Sequence, residues 1–390
     1  MTNKETEVSI VLPCLNEAET IAICINKILT VFSEQNIQGE VVICDNGSTD
    51  GSQKIATDLG ASVVTVGERG YGAALQGGFA AARGKFLFMG DADDSYDFME
   101  LPKFIKPLRE GAEFVIGCRL PSGGGNVLPG AMPFLHRWLG TPVLTFVSKL
   151  FFSTKIHDIN CGMRGIRKEA YKRMKLKSPG MEFASEMVMK SALLQLDTVE
   201  VPITLHPDGR TREPHLRTWR DGWRHLRFML LFSPKWLFVF PGVLLFVVGL
   251  LGNIALLGGP MALGDVIFSL NTHIVCAMAT ILGFQVIGLG AFANRYASAA
   301  GLLPENNSSQ PILAKIGLDN LALGGAIAVL SGGAVLFWAL FQWGDTDFGQ
   351  LSITSIPHLV IPSVTIIVLG AQSIFTGFVL GLLELRTQAS

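Results

Sequence analysis

The chain has 390 residues, 49% of them hydrophobic, and a mean hydropathy of +0.41, which is too apolar for an ordinary soluble protein of one or two domains. Its 31 basic and 32 acidic side chains leave a net charge of -1, which excludes a global attraction to nucleic acid; charge recognition must come from local clusters. Only ten of these charges follow Ser233, so a polar first part and a membrane-embedded second part are expected.

In chain order, Val8–Leu12, Glu40–Cys44, Ser62–Val66, Lys85–Met89 and Phe114–Ile116 are short apolar runs that read as buried strands. Between them Glu17–Phe32, Ser52–Leu59, Gly72–Ala82 and Leu101–Arg109 have helical character. This β-α-β-α order predicts an α/β domain with a mostly parallel sheet, whose ligands sit beyond the carboxyl ends of the strands. Three loops at such ends carry chemistry: Pro13-Cys14-Leu15-Asn16-Glu17, Asp45-Asn46-Gly47-Ser48-Thr49-Asp50-Gly51 and Asp91-Ala92-Asp93-Asp94. Two carboxylates one residue apart after a strand, Asp91 and Asp93, suit a divalent cation that bridges diphosphate oxygens. The same stretch also reads as a solvated acidic turn, Asp94 and Asp97 as helix caps, and Asn16, Glu17 and Asp45 as turn or helix starters.

Further on, Pro133–Gly140 is apolar with basic residues, Arg137 among them, and suits a membrane interface or an ordinary surface helix. Asp158 and Glu186 are candidate acid/base groups, or structural carboxylates paired with Arg164 or a helix terminus. Residues 210–227 interleave Arg, Trp and His as a headgroup layer would favour. Four windows without a charge follow, Trp236–Leu257, Thr272–Asn294, Leu321–Trp343 and His358–Leu383, each long enough to cross a hydrocarbon core of roughly 30 Å. Basic residues before the first window, together with Arg295 and Lys315 after the second, place those segments and both termini in the cytoplasm. The resulting division is 1–209 as a cytoplasmic domain, 210–235 as a basic, aromatic juxtamembrane segment and 236–390 as an all-α four-helix transmembrane domain. Small-residue faces such as Gly324-Gly325 and Gly332-Gly333 suit helix packing within a homo-oligomer. The six cysteines (Cys14, Cys24, Cys44, Cys118, Cys161, Cys276) form no CxxC pair, which fits reduced thiols, and no cleavable signal peptide is expected.

Taken together, Val11–Glu17, Asp45–Gly51, Gly70–Ala74, Gly90–Tyr96, Gly117–Arg119, Asp158–Arg164 and Met181–Glu186 resemble family 2 glycosyltransferases of the Rossmann-like GT-A fold. The resemblance is to the polyprenyl-phosphate hexosyltransferase branch that includes dolichyl-phosphate mannose synthase. It implies nucleotide contacts from Pro13, Glu17 and Asp45, with Asn16 and Asp91 grouped beside them. It also implies Mg²⁺ or Mn²⁺ at Asp91 and Asp93 with the diphosphate. Arg119 falls on the family's acceptor-phosphate position, and Arg210 and Arg212 fall on its acceptor loop; guanidinium forks suit phosphate oxygens, and Arg137 is a further candidate. Asp93, Asp158 and Arg119 are the expected catalytic residues. Asn46 stands where many relatives have Asp, and Ser95 where mannose synthases have a metal-contacting Gln. The expected partners are a nucleotide sugar, UDP-glucose before GDP-mannose or UDP-N-acetylglucosamine, and a polyprenyl phosphate such as undecaprenyl phosphate. A processive polysaccharide synthase fits less well for want of a Gln-x-x-Arg-Trp motif, and a lipid transporter for want of intramembrane charge.

Overall fold

A computed structural model describes residues 5–210, 218–300, 303, 316–344 and 357–388. The chain forms two compact units, Met1–Met229 and Leu230–Ser390. In the first, β1 (Val8–Cys14), α1 (Ile21–Glu34), β2 (Gly39–Asp45), α2 (Ser52–Asp58), β3 (Ser62–Thr65), α3 (Tyr71–Ala81), β4 (Phe86–Met89), α4 (Leu101–Glu110) and β5 (Phe114–Cys118) alternate as the apolar runs predict. They are followed by β6 (Asn126–Val127), α5 (Thr141–Phe152), β7 (Arg164–Arg167), α6 (Lys168–Met174), α7 (Glu182–Leu193), β8 (Thr198–Pro202) and β9 (Thr204–Leu205). The helix α8 (Thr218–Leu231) spans the division between the units.

Seven strands form one sheet in the order β3-β2-β1-β4-β7-β5-β8. Every neighbouring pair is parallel except those of β7, which runs antiparallel to β4 and β5. β4 and β5 are buried throughout and β1 at all but Pro13, as expected where helices cover both faces of a sheet. α1 buries Ile21, Cys24, Ile25, Ile28, Val31 and Phe32, one apolar stripe at helical spacing. Register then sets the site. β2, β1 and β4 lie side by side and parallel, so the loops after Asp45, Cys14 and Met89 emerge together. Arg164 at the start of β7 pairs with both Met89 and Ile116, which brings the loop 158–163 and Arg119 to that same end.

The second unit holds a π-helical turn (Lys235–Val239) leading into α9 (Phe240–Ala255), a hairpin of β10 (Met261–Leu263) and β11 (Val266–Phe268), and the helices α10 (Leu270–Ala299), α11 (Leu318–Gly344) and α12 (Pro357–Gln388). Four segments are long and apolar enough to cross a membrane: Lys235–Ala255, Leu270–Ala299, Leu318–Gly344 and His358–Leu383. Close glycine contacts seal neighbouring helices. A Cβ on Gly249 would lie 2.5 Å from the Thr280 nitrogen, and one on Gly325 would lie 2.5 Å from the Gly370 oxygen. Gly325 and Gly332 therefore serve packing of α11 on α12 within the chain, whereas Gly324 and Gly333 have no neighbour within 4 Å. Between α10 and α12, the buried imidazoles of His273 and His358 meet with their Nδ1 atoms 3.1 Å apart.

Candidate active site

The first two loops are stitched to each other by their own side chains. Asn16 has a left-handed backbone (φ 60°), its amide donates to Ser48 Oγ at 2.9 Å, and its Oδ1 accepts from the Thr49 amide at 2.8 Å. The Glu17 amide donates to Ser52 Oγ at 2.9 Å and that of Ala18 to Asp50 at 2.9 Å. Asp45 is fully buried at the end of β2 and accepts from the Gly47 and Ser48 amides at 3.1 Å and from Gln53 Nε2 at 2.8 Å. Burial disfavours its charge, but the hydrogen bonds from Ser48, Gln53 and Gly47 outweigh it and hold the carboxyl below the usual range. Asn46 continues the stitching: its amide donates to the carbonyls of Val66 and Glu68, and its Oδ1 accepts from the Gly70 amide at 2.8 Å. Pro13, on β1, is opposite Cys44.

The third loop carries the acidic pair. Asp93 Oδ1 accepts from the Ser95 amide at 3.1 Å and hydroxyl at 2.6 Å, while its Oδ2 meets the Arg210 guanidinium at 2.6 Å. Arg210 also pairs with Glu17 at 3.2 Å and Asp208 at 3.1 Å. The backbone delivers it there. Tyr96 bridges to Leu205, the His206 amide donates to Ser95 at 2.9 Å and that of Gly209 to Asp93 at 2.9 Å, so 205–210 runs antiparallel along 93–96. Asp94 turns away to Lys27 at 2.9 Å. Asp91 Oδ1 accepts from the Tyr71 hydroxyl at 3.0 Å. Its pKa is pushed up to about 6 by burial and by the neighbouring Asp93 charge.

These residues fit a divalent cation. Two carboxylates lie on one loop where negative charge is in excess. A Cβ on Gly162 would lie 2.8 Å from Asp91 Oδ2, so glycine is required where the loop 158–163 passes that oxygen. Among the described residues no three His, Cys, Asp or Glu side chains are arranged to hold a metal ion by themselves, so Asp91 and Asp93 are the two residues that would hold it.

Across the sheet end, Arg119 and Asp158 form a buried fork: Nε to Oδ2 at 2.7 Å and Nη2 to Oδ1 at 2.9 Å. Asp158 also accepts from the Arg119 amide at 3.1 Å, and Glu200 holds its loop through the amides of His157 at 2.8 Å and Asp158 at 3.0 Å. Asp158 is thus paired with Arg119. The guanidinium of Arg164 instead bonds the carbonyls of Cys161, Ile159 and Ala184. Tyr96 closes the group, its hydroxyl accepting from the Gly162 amide at 2.7 Å. Glu186 is committed elsewhere, to Lys190 at 2.9 Å and to the Lys177 and Ser178 amides.

The structure therefore brings Asn16, Glu17, Asp45, Asp91, Asp93, Arg119, Asp158 and Arg210 to one end of one sheet. Arg137 is on the short π-helical turn His136–Gly140, its guanidinium 5.6 Å from the Trp138 ring. Around it Phe134, Trp138 and Phe146 are 74%, 65% and 65% exposed, an apolar surface without protein cover. Arg212 falls outside the described residues. Sequence reasoning missed Tyr71, Tyr96, Gly162 and Glu200; the first three stand inside segments already singled out, Gly70–Ala74, Gly90–Tyr96 and Asp158–Arg164, but no local pattern marks their partners.

Residues 9–175 match the family described as Glycosyl transferase family 2, and residues 291–384 match the Glycosyltransferase family 2 C-terminal transmembrane region. The chain is 38% identical to the low-salt glycan biosynthesis hexosyltransferase Agl6 of Haloferax volcanii, over 96% of this chain and 88% of that protein. It is 28% identical to a dolichyl-phosphate hexose transferase of the same organism, over 42% of this chain and 68% of that one. Among solved structures, glucosyl-3-phosphoglycerate synthase from Mycobacterium tuberculosis in complex with Mn²⁺, UDP-glucose and phosphoglyceric acid is similar at a TM-score of 0.44 and 22% identity, covering 58% of this chain and 79% of that one.

Proposed function

The chain belongs to glycosyltransferase family 2, as a membrane protein with a GT-A domain, and from that premise we propose that it transfers a hexose from a nucleotide sugar to a polyprenyl phosphate at the cytoplasmic face of a membrane. The observation that carries this reading is the acidic pair Asp91 and Asp93 with two guanidinium groups, Arg119 and Arg210, at the same sheet end. Carboxylates suit the donor's cation and arginines suit phosphate oxygens. UDP-glucose is the first candidate donor and a polyprenyl phosphate the acceptor. The exposed Phe134, Trp138 and Phe146 beside Arg137 suit the headgroup layer in which such a lipid presents its phosphate.

The reaction is a single displacement with inversion. An oxygen of the lipid phosphate bonds to the anomeric carbon as the bond from that carbon to the diphosphate breaks, and the nucleoside diphosphate leaves with the electron pair. A phosphate monoester is already anionic near neutral pH, so no strong base is needed to free its oxygen. Asp91 and Asp93 would hold Mg²⁺ or Mn²⁺, which when bound would supply charge neutralisation for the diphosphate. Pro13, Asn16, Glu17 and Asp45 shape the nucleotide side. Asp158 fixes the plane of Arg119, which receives the acceptor phosphate, with Arg210, Arg212 and Arg137 as further contacts along its approach. Positioning and electrostatics carry the rate.

The test is a panel of UDP-glucose, GDP-mannose and UDP-N-acetylglucosamine offered to the detergent-purified chain with one polyprenyl phosphate. Monoglycosylated lipid is expected from one donor, and Asp91→Asn or Asp93→Asn should lower its formation about a hundredfold or more. Polymer as the product, or transfer by the folded variants at the wild-type rate, would refute the reading.

A further inference from the structure

We infer that Tyr71 is a positioning residue for Asp91, and that a clamp reaching back to the buried Glu186–Lys190 pair exists to hold Tyr71 in place; this rests on the reading of Asp91 and Asp93 as the cation's carboxylates. Tyr71 opens α3, and its hydroxyl donates to Asp91 Oδ1 at 3.0 Å. That bond engages Oδ1 and leaves Oδ2, which the Gly162 backbone approaches closely, as the other oxygen of the carboxylate. A carboxylate held by one oxygen presents the other in a fixed direction, which is how outer partners of metal ligands set affinity.

The segment Gly70-Tyr71-Gly72 has no freedom to place that hydroxyl elsewhere. Gly70 has φ +143°, and a Cβ there would overlap the Pro179 carbonyl oxygen; one on Gly72 would overlap that of Ser178 and come within 2.7 Å of Phe183 Cβ. The first turn of α3 thus lies directly on residues 178–180. Two hydrogen bonds fasten it there, from the Ala73 amide to Pro179 at 2.9 Å and from Gln76 Nε2 to Ser178 at 2.9 Å. On the other flank Asn46 holds the Gly70 amide at 2.8 Å.

Residues 175–178 are fixed in turn from α7. Glu186 is 1% exposed and accepts from the Lys177 amide at 3.0 Å and the Ser178 amide at 2.8 Å. Lys190 is 4% exposed, pairs with Glu186 at 2.9 Å and donates to the Lys175 carbonyl at 2.7 Å. A buried ion pair is weak evidence for stability in itself, but both partners here spread their remaining bonds over one loop and so define its shape. The connection runs from Lys190 through Glu186, the loop and α3 to Tyr71, and ends on Asp91.

The test is Mn²⁺ binding by the full chain in detergent, with free Mn²⁺ read by electron paramagnetic resonance in the absence of lipid, both without nucleotide and with UDP. Tyr71→Phe, which removes one oxygen, should weaken Mn²⁺ binding about tenfold or more while metal-free thermal unfolding stays near wild type. Gly72→Ala, which displaces α3 from residues 178–180, should weaken it as well, and the double variant should be no worse than the poorer single one. Mn²⁺ binding by Tyr71→Phe equal to wild type overturns the inference, as do single effects that multiply in the double variant. A wild-type chain that binds Mn²⁺ neither alone nor with UDP overturns the cation reading itself, and the wild-type titrations alone reveal that.

Discussion

At the scale of single residues, Asp91 is a carboxyl whose surroundings disfavour its charge. Its carboxyl titrates at about 6 because burial and Asp93 disfavour its charge. A carboxyl raised in the fold binds its proton more tightly there than in the unfolded chain, where its pKa is about 3.9. The stability it contributes is full below the unfolded value and is lost as pH rises through about 6. A cation must displace that proton, so Mn²⁺ affinity is expected to hold above pH 6 and to fall about tenfold per unit below it, as a titration at pH 5, 6 and 7 will show. Asp91→Asn should remove the pH dependence along with most of the binding. Asp91 and Asp93 stood out in the sequence through their spacing directly after a buried strand with two other polar loops in register, and the parallel strands do bring those three loops to one sheet end. Tyr71, Gly162 and Glu200 did not stand out, since their partners lie 20, 71 and 42 residues away and only the sheet's register brings them together.

Among the elements, the parallel strands and their helices could be read from apolar runs, because strands covered on both faces leave continuous hydrophobic stretches. β7 could not. It has four residues, two of them Arg, and its place between β4 and β5 depends on pairing over 48 to 81 residues, by the register of Arg164 with Ile116 and Phe86 with Arg167. Gly165 shows what that insertion requires: a Cβ there would lie 2.5 Å from Phe88 Cε1. Gly165→Ala is accordingly expected to destabilise the first unit by about 1–3 kcal/mol, measured by urea unfolding, through displacement of the Phe88 ring. The hairpin β10–β11 between the first two spans was equally unforeseen, its turn made at Gly264 with φ +60°. The apolar, basic stretch Pro133–Gly140 was visible in the sequence, but the exposure of Phe134 and Trp138, and of Phe146 on α5, was not.

For the molecule as a whole, four charge-free windows sufficed to find the spans, and the helices extend them by at most a turn or so at their ends. The proposed orientation has a direct measurement. Asp265→Cys should react with a membrane-impermeant maleimide added outside intact cells, whereas a cysteine replacing Glu68 should react only after permeabilisation; the opposite pattern would invert the topology. The glycine seams described above bear on how such a unit is made. Gly242, Gly249 and Gly283 join α9 to α10, and Gly325, Gly332 and Gly370 join α11 to α12, so each seam links helices that follow one another in the chain. Loop closure between consecutive helices is short and its entropy cost small. Each hairpin can therefore zip shut as its second helix leaves the ribosome, and the seam between α10 and α12, with its two histidines, then joins one hairpin to the other once the last helix has been made.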